Sequence, residues 1–415
     1  MRSERPAGLL RLFWSARPGD AFDEAAAALW TASGAGRPRL SPSQAAMICA
    51  SLTKATHWGR TMLDRRTTAA KHPYHGMPPR AFWKNMARLS PLAIDGLYKK
   101  KFRIGADTKV ASAGSCFAQH VGRVLKASGF NYLDYEPAPR LLDEADRQRF
   151  GYGMFSARYG NIYTARQLRQ LLERALGQCK PVDDHWAVNG RYYDPYRPTI
   201  EPGGFASLAE LQTIRQHHLE QVRRLFQDVD VFVFTLGLTE TWVNAQDGMA
   251  YQVCPGTSAG IFDPDQHVFM NASYKSVVAD MKAFMRMARS LNPKIKILLT
   301  VSPVPLAATA TDQHVLVATS YSKSVLRAAA GYLAERYDSV DYFPSYEIIS
   351  THPFHGFFFE RDLREVNPKG VEFVMGHFFE QHKIPSKKAS SGGKRAKKKT
   401  DEDVWCDEKV LEKYA

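Results

Sequence analysis

Gly114, Ser115 and Cys116 stand together in "ASAGSCFAQH", between an extended segment, Lys109 to Ala113, and a helical pattern running from Phe117 to Ser128. A hydroxyl and a thiol at a strand-to-helix turn raise the question of a nucleophile. The first N–H groups of a helix have no partner within it and carry partial positive charge. A side chain held there sits beside an anion site, which lowers a thiol pKa or stabilises an oxyanion. Two plainer readings compete. Cys116 also suits the role of a small buried hydrophobe, and Ser115 that of the helix N-cap.

A second polar group lies in "TLGLTETW", where Gly237, Thr239 and Glu240 directly follow an apolar run. Thr239 is either an N-cap or a donor to an oxyanion, with Glu240 orienting a base or binding a hydroxyl. Histidines are plentiful and none is decisive. His120 falls on the same helical face as Cys116, four residues on. His314 precedes a helix at the outlet of "LLTVSP". The loop "STHPFHGFFFERDLREV" adds His352, His355, Asp362 and Glu365.

These residues need a scaffold that brings them to one edge. From Thr108 onward strands alternate with helices. "KVASAG", "DVDVFVFTLGL", "KIKILLTVSPVP" and "VDYFPSY" read as strands, separated by helices such as "FAQHVGRVLKAS", "ARQLRQLLERAL" and "SYKSVVADMKAFMRMARSL". Apolar, β-branched strands of this kind are buried on both faces of a parallel sheet, so the expected class is α/β. Sites on such sheets lie at the carboxyl ends of the strands. Three polar turns fall there: Gly114–Cys116, Gly237–Glu240 and Ser302–Pro305.

Composition narrows the rest. At 415 residues, 44% hydrophobic and 24% charged, the chain is an ordinary globular protein. No apolar run is long enough to span a bilayer, and with Pro6, Arg11 and Arg17 interrupting the first twenty residues no secretory leader is expected. Five scattered cysteines without C-x-x-C spacing fit reduced thiols and a cytoplasmic location. Neither Walker A, G-x-G-x-x-G nor H-E-x-x-H is present, so no cofactor and no metal are expected. Half of the +14 net charge sits in "SKKASSGGKRAKKKT" (386–400), which holds seven Lys or Arg and no acid. That run is expected to be a disordered arm able to touch anionic surfaces or nucleic acid. The preceding residues 1–106 read as a helical extension, with "DAFDEAAAALWTAS" and "SPSQAAMICASLTKATHWGRTML" as helices.

Seven motifs in order resemble the GSCFA-domain family: "AGSCFAQHVG", "YGNIYTARQL", "TLGLTETW", "CPGTSAGIFDP", "LTVSPVPLAAT", "SYSKSVLRAAAGYL" and "DYFPSYEI", spanning roughly residues 71–382. That family is distantly similar to SGNH (GDSL-type) hydrolases, which act on acyl esters. The resemblance implies a three-layer α/β/α fold of SGNH-like, flavodoxin-like type over residues 107–384, followed by the basic tail 385–415. It places Cys116 on the nucleophile position of G-D-S, after Gly114 and Ser115. Gly160, beside Asn161, matches the glycine donor of the oxyanion hole. Gly237, Leu238 and Thr239 match G-x-N, and Asp362, Leu363, Arg364 and Glu365 match D-x-x-H. A glutamate thus stands where the family's catalytic histidine is expected, leaving Glu365, Asp362 and His314 to supply base and orientation. The implied function is hydrolysis or transfer of acyl esters on a glycan or other hydroxylated substrate, as in bacterial polysaccharide metabolism. A non-catalytic glycan- or ligand-binding domain and a polyanion-binding accessory protein are the alternatives.

Overall fold

A computed structural model describes residues 72–382 and 406–415. The chain divides into two compact units, Met1–Ala81 and Phe82–Ala415. The described part of the first contains one turn of 3-10 helix, Pro79–Ala81. The second carries the sheet.

In chain order the strands are β1 (Lys109–Gly114), β2 (Asn131–Tyr132), β3 (Trp186–Val188), β4 (Arg191–Tyr193), β5 (Val231–Leu236), β6 (Glu240–Asn244), β7 (His267–Asn271), β8 (Lys296–Val301) and β9 (Val340–Tyr342). The helices are α1 (Trp83–Met86), α2 (Cys116–Ala127), α3 (Glu144–Arg149), α4 (Ala165–Ala175), α5 (Leu208–Asp228), α6 (Tyr274–Leu291), α7 (Val315–Arg336), α8 (Ser345–Ser350) and α9 (Pro368–Gln381). Five strands form one parallel sheet in the order β2-β1-β5-β8-β9. Two antiparallel hairpins, β3-β4 and β6-β7, stand apart from it.

The period of two along each strand builds two cores from one sheet. Ala111, Ala113, Phe232, Phe234, Leu299 and Val301 face α4, α5, α6 and α7. Their neighbours Val110, Val231, Val233 and Leu298 face α2, α8 and α9. The result is the expected α/β/α sandwich. Phe232 anchors the first core, with Phe226 and Phe284 at ring-centroid distances of 4.9 and 5.7 Å.

Register then fixes the site. Gly114 pairs with Thr235, and Thr235 with Thr300, so β1, β5 and β8 end in one row. The chain leaves that row at Cys116, at Gly237–Thr239 and at Ser302. The strand order reverses between β1 and β5, and ligands of open α/β sheets bind at such a crossing.

Three expectations differ. In the helical extension, the two long helices lie outside the described residues. Residues 72–106 contain only single-turn helices, because "HPYHGMPPR" and "SPLAIDG" interrupt any longer one. From Ile94 the chain joins the second core, burying Ile94, Tyr98, Phe102 and Ile104. Tyr98 donates to Asp341 at 2.8 Å, and Ile104 N–H to His382 Nδ1 at 3.1 Å. Thr239 caps no helix, since Glu240 opens the β6-β7 hairpin. Finally, of the tail expected to be disordered, residues 383–405 lie outside the described residues, but 406–415 fold. Asp407–Tyr414 is a 3-10 helix with Asp407 buried. Among the described residues no helix is long and apolar enough to cross a membrane.

Candidate active site

Two glycines shape the turn. Gly114 has φ +149°, and a Cβ there would lie 2.6 Å from the Thr235 carbonyl oxygen. Gly237 lets the β5 outlet come close: a Cβ would meet Ser115 Cβ at 2.9 Å and the Tyr163 carbonyl at 3.0 Å. That carbonyl accepts both Gly237 N–H and Leu238 N–H at 3.0 Å. Ser115 occupies the N-cap position of α2, but its hydroxyl makes no cap bond and is buried without a partner. The first N–H groups of α2 therefore lack a side-chain cap. Thr239 N–H donates to Ser322 Oγ at 3.0 Å, while its own buried hydroxyl is unpartnered.

Cys116 opens α2 and is 5% exposed. Its thiol is hydrogen-bonded to the thiol of Cys406, from the other end of the chain. Arg364 Nη2 donates to Cys406 Sγ at 3.5 Å and to Glu408 Oε2 at 3.3 Å. The bond to Cys406, together with burial, pushes the Cys116 thiol well up. The same bond, helped by the Arg364 charge and opposed by burial, brings Cys406 down to about 6. Near neutral pH the pair thus holds one proton and one negative charge, and the charge rests on Cys406 against the guanidinium. The helix N-terminus is expected to make Cys116 the acidic thiol; the sulfur that touches Arg364 takes that place instead.

The last ten residues complete the surroundings. Asn161 is fixed from two sides: Gln119 donates to its Oδ1 at 2.9 Å, and its Nδ2 donates to Asp407 Oδ2 at 2.8 Å. Tyr163 Oη reaches the same carboxylate oxygen at 3.4 Å. Gly160, at φ +65°, leaves room for Gln252 Nε2, which would lie 2.4 Å from a Cβ and donates to Asn161 O at 3.0 Å. Glu408 is raised to about 8 by burial and by the neighbouring Cys406, so it is largely a neutral acid at pH 7. Lys323 donates to the Gly237 carbonyl at 2.7 Å, and burial lowers it to about 8. Beside this group opens a cavity of about 230 Å³, walled by Leu238, Trp242, Phe269, Asp407, Glu408 and Leu411.

The fold brings Gly114, Ser115, Cys116, Gly237 and Thr239 to one edge, with Gly160 and Asn161 joined to it through Asp407. Glu240 lines the cavity and accepts from Thr309 Oγ1 at 2.7 Å. The proposed base residues are employed elsewhere. Asp362 Oδ1 accepts the N–H groups of Arg364 and Glu365 at 2.9 and 3.0 Å, closing a turn. Glu365 pairs with Lys409 at the surface. His314 is exposed and caps α7 by accepting Leu316 N–H at 3.1 Å. The ring of His120 lies against Phe117, and burial and Arg123 lower it to about 4. Within the D-x-x-H-like stretch it is Arg364, not Glu365, that turns inward.

The sequence pattern of the GSCFA family matches residues 109–378. Among solved structures, a carbohydrate esterase family 3 protein from Talaromyces cellulolyticus is 11% identical, with 65% of this chain and 94% of that chain covered and a TM-score of 0.31. The periplasmic domain of a lipopolysaccharide acetyltransferase from Salmonella ser. Paratyphi A is 10% identical over 72% of this chain and 88% of that chain, with a TM-score of 0.28. No curated protein matches this chain.

Proposed function

The chain belongs to the GSCFA family, and we propose that it hydrolyses or transfers acyl esters through Cys116. The observation that carries this reading is the Cys116–Cys406 contact at the switch point of the sheet, with Arg364 beside it. Cys116 Sγ attacks the acyl carbon as its proton passes to Cys406 Sγ. Cys406 thus does the work of a general base, and Arg364 steadies whichever sulfur is charged. The uncapped start of α2 and the unpartnered Thr239 hydroxyl supply donors for the oxyanion. As the ester C–O bond breaks, neutral Glu408 gives its proton to the leaving alcohol. Water or a second hydroxyl then attacks the thioester and gives its proton to the Glu408 carboxylate; the C–S bond breaks, and Cys116 Sγ takes back the proton held on Cys406. Trp242 and Phe269 offer aromatic surface in the cavity, which suits an acylated sugar.

Two classes of ester test the roles separately. With a p-nitrophenyl acyl ester, whose leaving group needs no acid, Cys116→Ala is expected to reduce turnover to background while Glu408→Gln retains most of it. With an O-acetylated oligosaccharide, Glu408→Gln is expected to lose about a hundredfold. If wild type turns over neither, yet binds the oligosaccharide as well as Cys116→Ala does, the domain is a binding module.

A further inference from the structure

Cys406 and Cys116 lie 290 positions apart in sequence and meet sulfur to sulfur. Both are reduced, and both belong to the same packed cluster around α2 and α9. Their exposures differ. Cys116 is buried, whereas Cys406 is partly exposed at the start of the C-terminal 3-10 helix. The guanidinium of Arg364 touches Cys406 at 3.5 Å. The other described cysteines are placed differently: Cys179 has no thiol partner among the described residues, and Cys254 turns its sulfur to the Pro255 carbonyl at 3.6 Å.

We propose that this pair is a peroxide-sensitive dithiol: a hydroperoxide oxidises Cys406, and Cys116 resolves it to a Cys116–Cys406 disulfide. In the first step the Cys406 thiolate attacks one oxygen of hydrogen peroxide. The O–O bond breaks, and the departing hydroxide takes a proton to become water, leaving a sulfenic acid. In the second, Cys116 attacks the Cys406 sulfur, the S–O bond breaks, and the departing hydroxide takes the Cys116 proton. Two thiols and one peroxide give one disulfide and two waters. The sulfurs must close from hydrogen-bond contact to about 2 Å, the length of a disulfide bond. A thiol elsewhere reduces the bond by exchange.

The consequence is a covalent latch. It ties the last ten residues to the head of α2 and keeps Asp407 and Glu408 against the cavity. It also removes Cys116 from acyl chemistry until reduction. The sulfur chemistry rests on the contact alone, so it stands or falls independently of the acyl reading.

The test uses the reduced full chain, treated with equimolar hydrogen peroxide, alkylated, digested without reductant and analysed by mass spectrometry. Two of the five thiols should disappear, and the peptides carrying Cys116 and Cys406 should appear as one linked species that dithiothreitol separates. In Cys116→Ser, Cys406 should accumulate as a sulfenic acid trapped by dimedone. In Arg364→Gln, oxidation at pH 7 should slow about tenfold as the thiolate loses its cation. If Cys406 in wild type proceeds to sulfinic acid while Cys116 remains alkylatable, or if all five thiols survive, the proposal is overturned. A linked species joining any other pair of cysteines has the same meaning.

Discussion

Arg364 Nη2 lies 3.5 Å from Cys406 Sγ, so a side chain from the loop before α9 and one from the C-terminal ten residues share the charge at the head of α2. Burial alone would lower the guanidinium, but Cys406 and Glu408 more than offset it, and Arg364 is held above its ordinary range. The pair is therefore structural and electrostatic at once.

Removing residues 406–415 takes the Cys406 and Glu408 partners from Arg364 and the Asp407 carboxylate from Asn161. Hydrogen bonds to charged groups are worth about 1.5–3 kcal/mol each. A clear drop in thermal midpoint is expected for the truncated chain, together with loss of turnover. An unchanged melt would mean that the segment does not dock in solution.

Thiol reactivity should follow the charge. At pH 7 Cys406 should be alkylated by iodoacetamide faster than Cys116, and its rate should rise with pH around a midpoint near 6. Above that midpoint the thiolate is the dominant form, and below it the rate falls. Quantifying each alkylated peptide over pH 5–8 checks this, and a Cys116 that reacts first would reverse the charge assignment.

The two close approaches predict different penalties. Gly237→Ala forces a methyl between Ser115 and the Tyr163 carbonyl, an overpacking worth about 1–3 kcal/mol. Gly114→Ala should cost more, because the clash is with the Thr235 backbone and the residue must also hold φ +149°. Denaturant melts of the two variants give the order.

Acid should destabilise the fold before its carboxylates are titrated. Burial holds His218 and His382 down to about 4, with Arg197 acting on the first and Lys100 on the second. In the unfolded chain both take up protons near 6.5. The unfolded state thus binds more protons between pH 6.5 and 4, and stability falls as pH falls through that window. Each buried histidine contributes on the order of a few kcal/mol. Glu136, which His218 contacts at 2.7 Å, is raised by burial but brought down to about 2 by His218 and Arg197, extending the loss to lower pH. Urea midpoints measured from pH 7 to 4 should decline, and His218→Gln should flatten part of that slope.

Much of this architecture was legible because it is local. "VFVFTL" and "ILLTV" have no polar residue except threonine, and Gly114–Cys116 announces a strand outlet turning into a helix. The base was not legible. Asp362 and Glu365 satisfy a spacing, but backbone geometry turns them to the surface and Arg364 inward. Cys406, Asp407 and Glu408 lie beyond a lysine-rich run that masks them. The signal was there in composition: from Asp401 acids replace the lysines, and Trp405, Val410, Leu411 and Tyr414 return apolar character. Only the three-dimensional fold pairs Cys406 with a residue 290 positions away.

Acyl transfer through Cys116 is tested most directly by trapping the intermediate. The reduced chain is mixed briefly with an activated acetyl ester, quenched in acid and digested, and the acetylated peptide is identified by mass spectrometry. One acetyl group on Cys116, absent from Cys116→Ala and cleared with time in wild type, is the expected result. An acetyl group on Cys406 or Ser115 with Cys116 unmodified would contradict it.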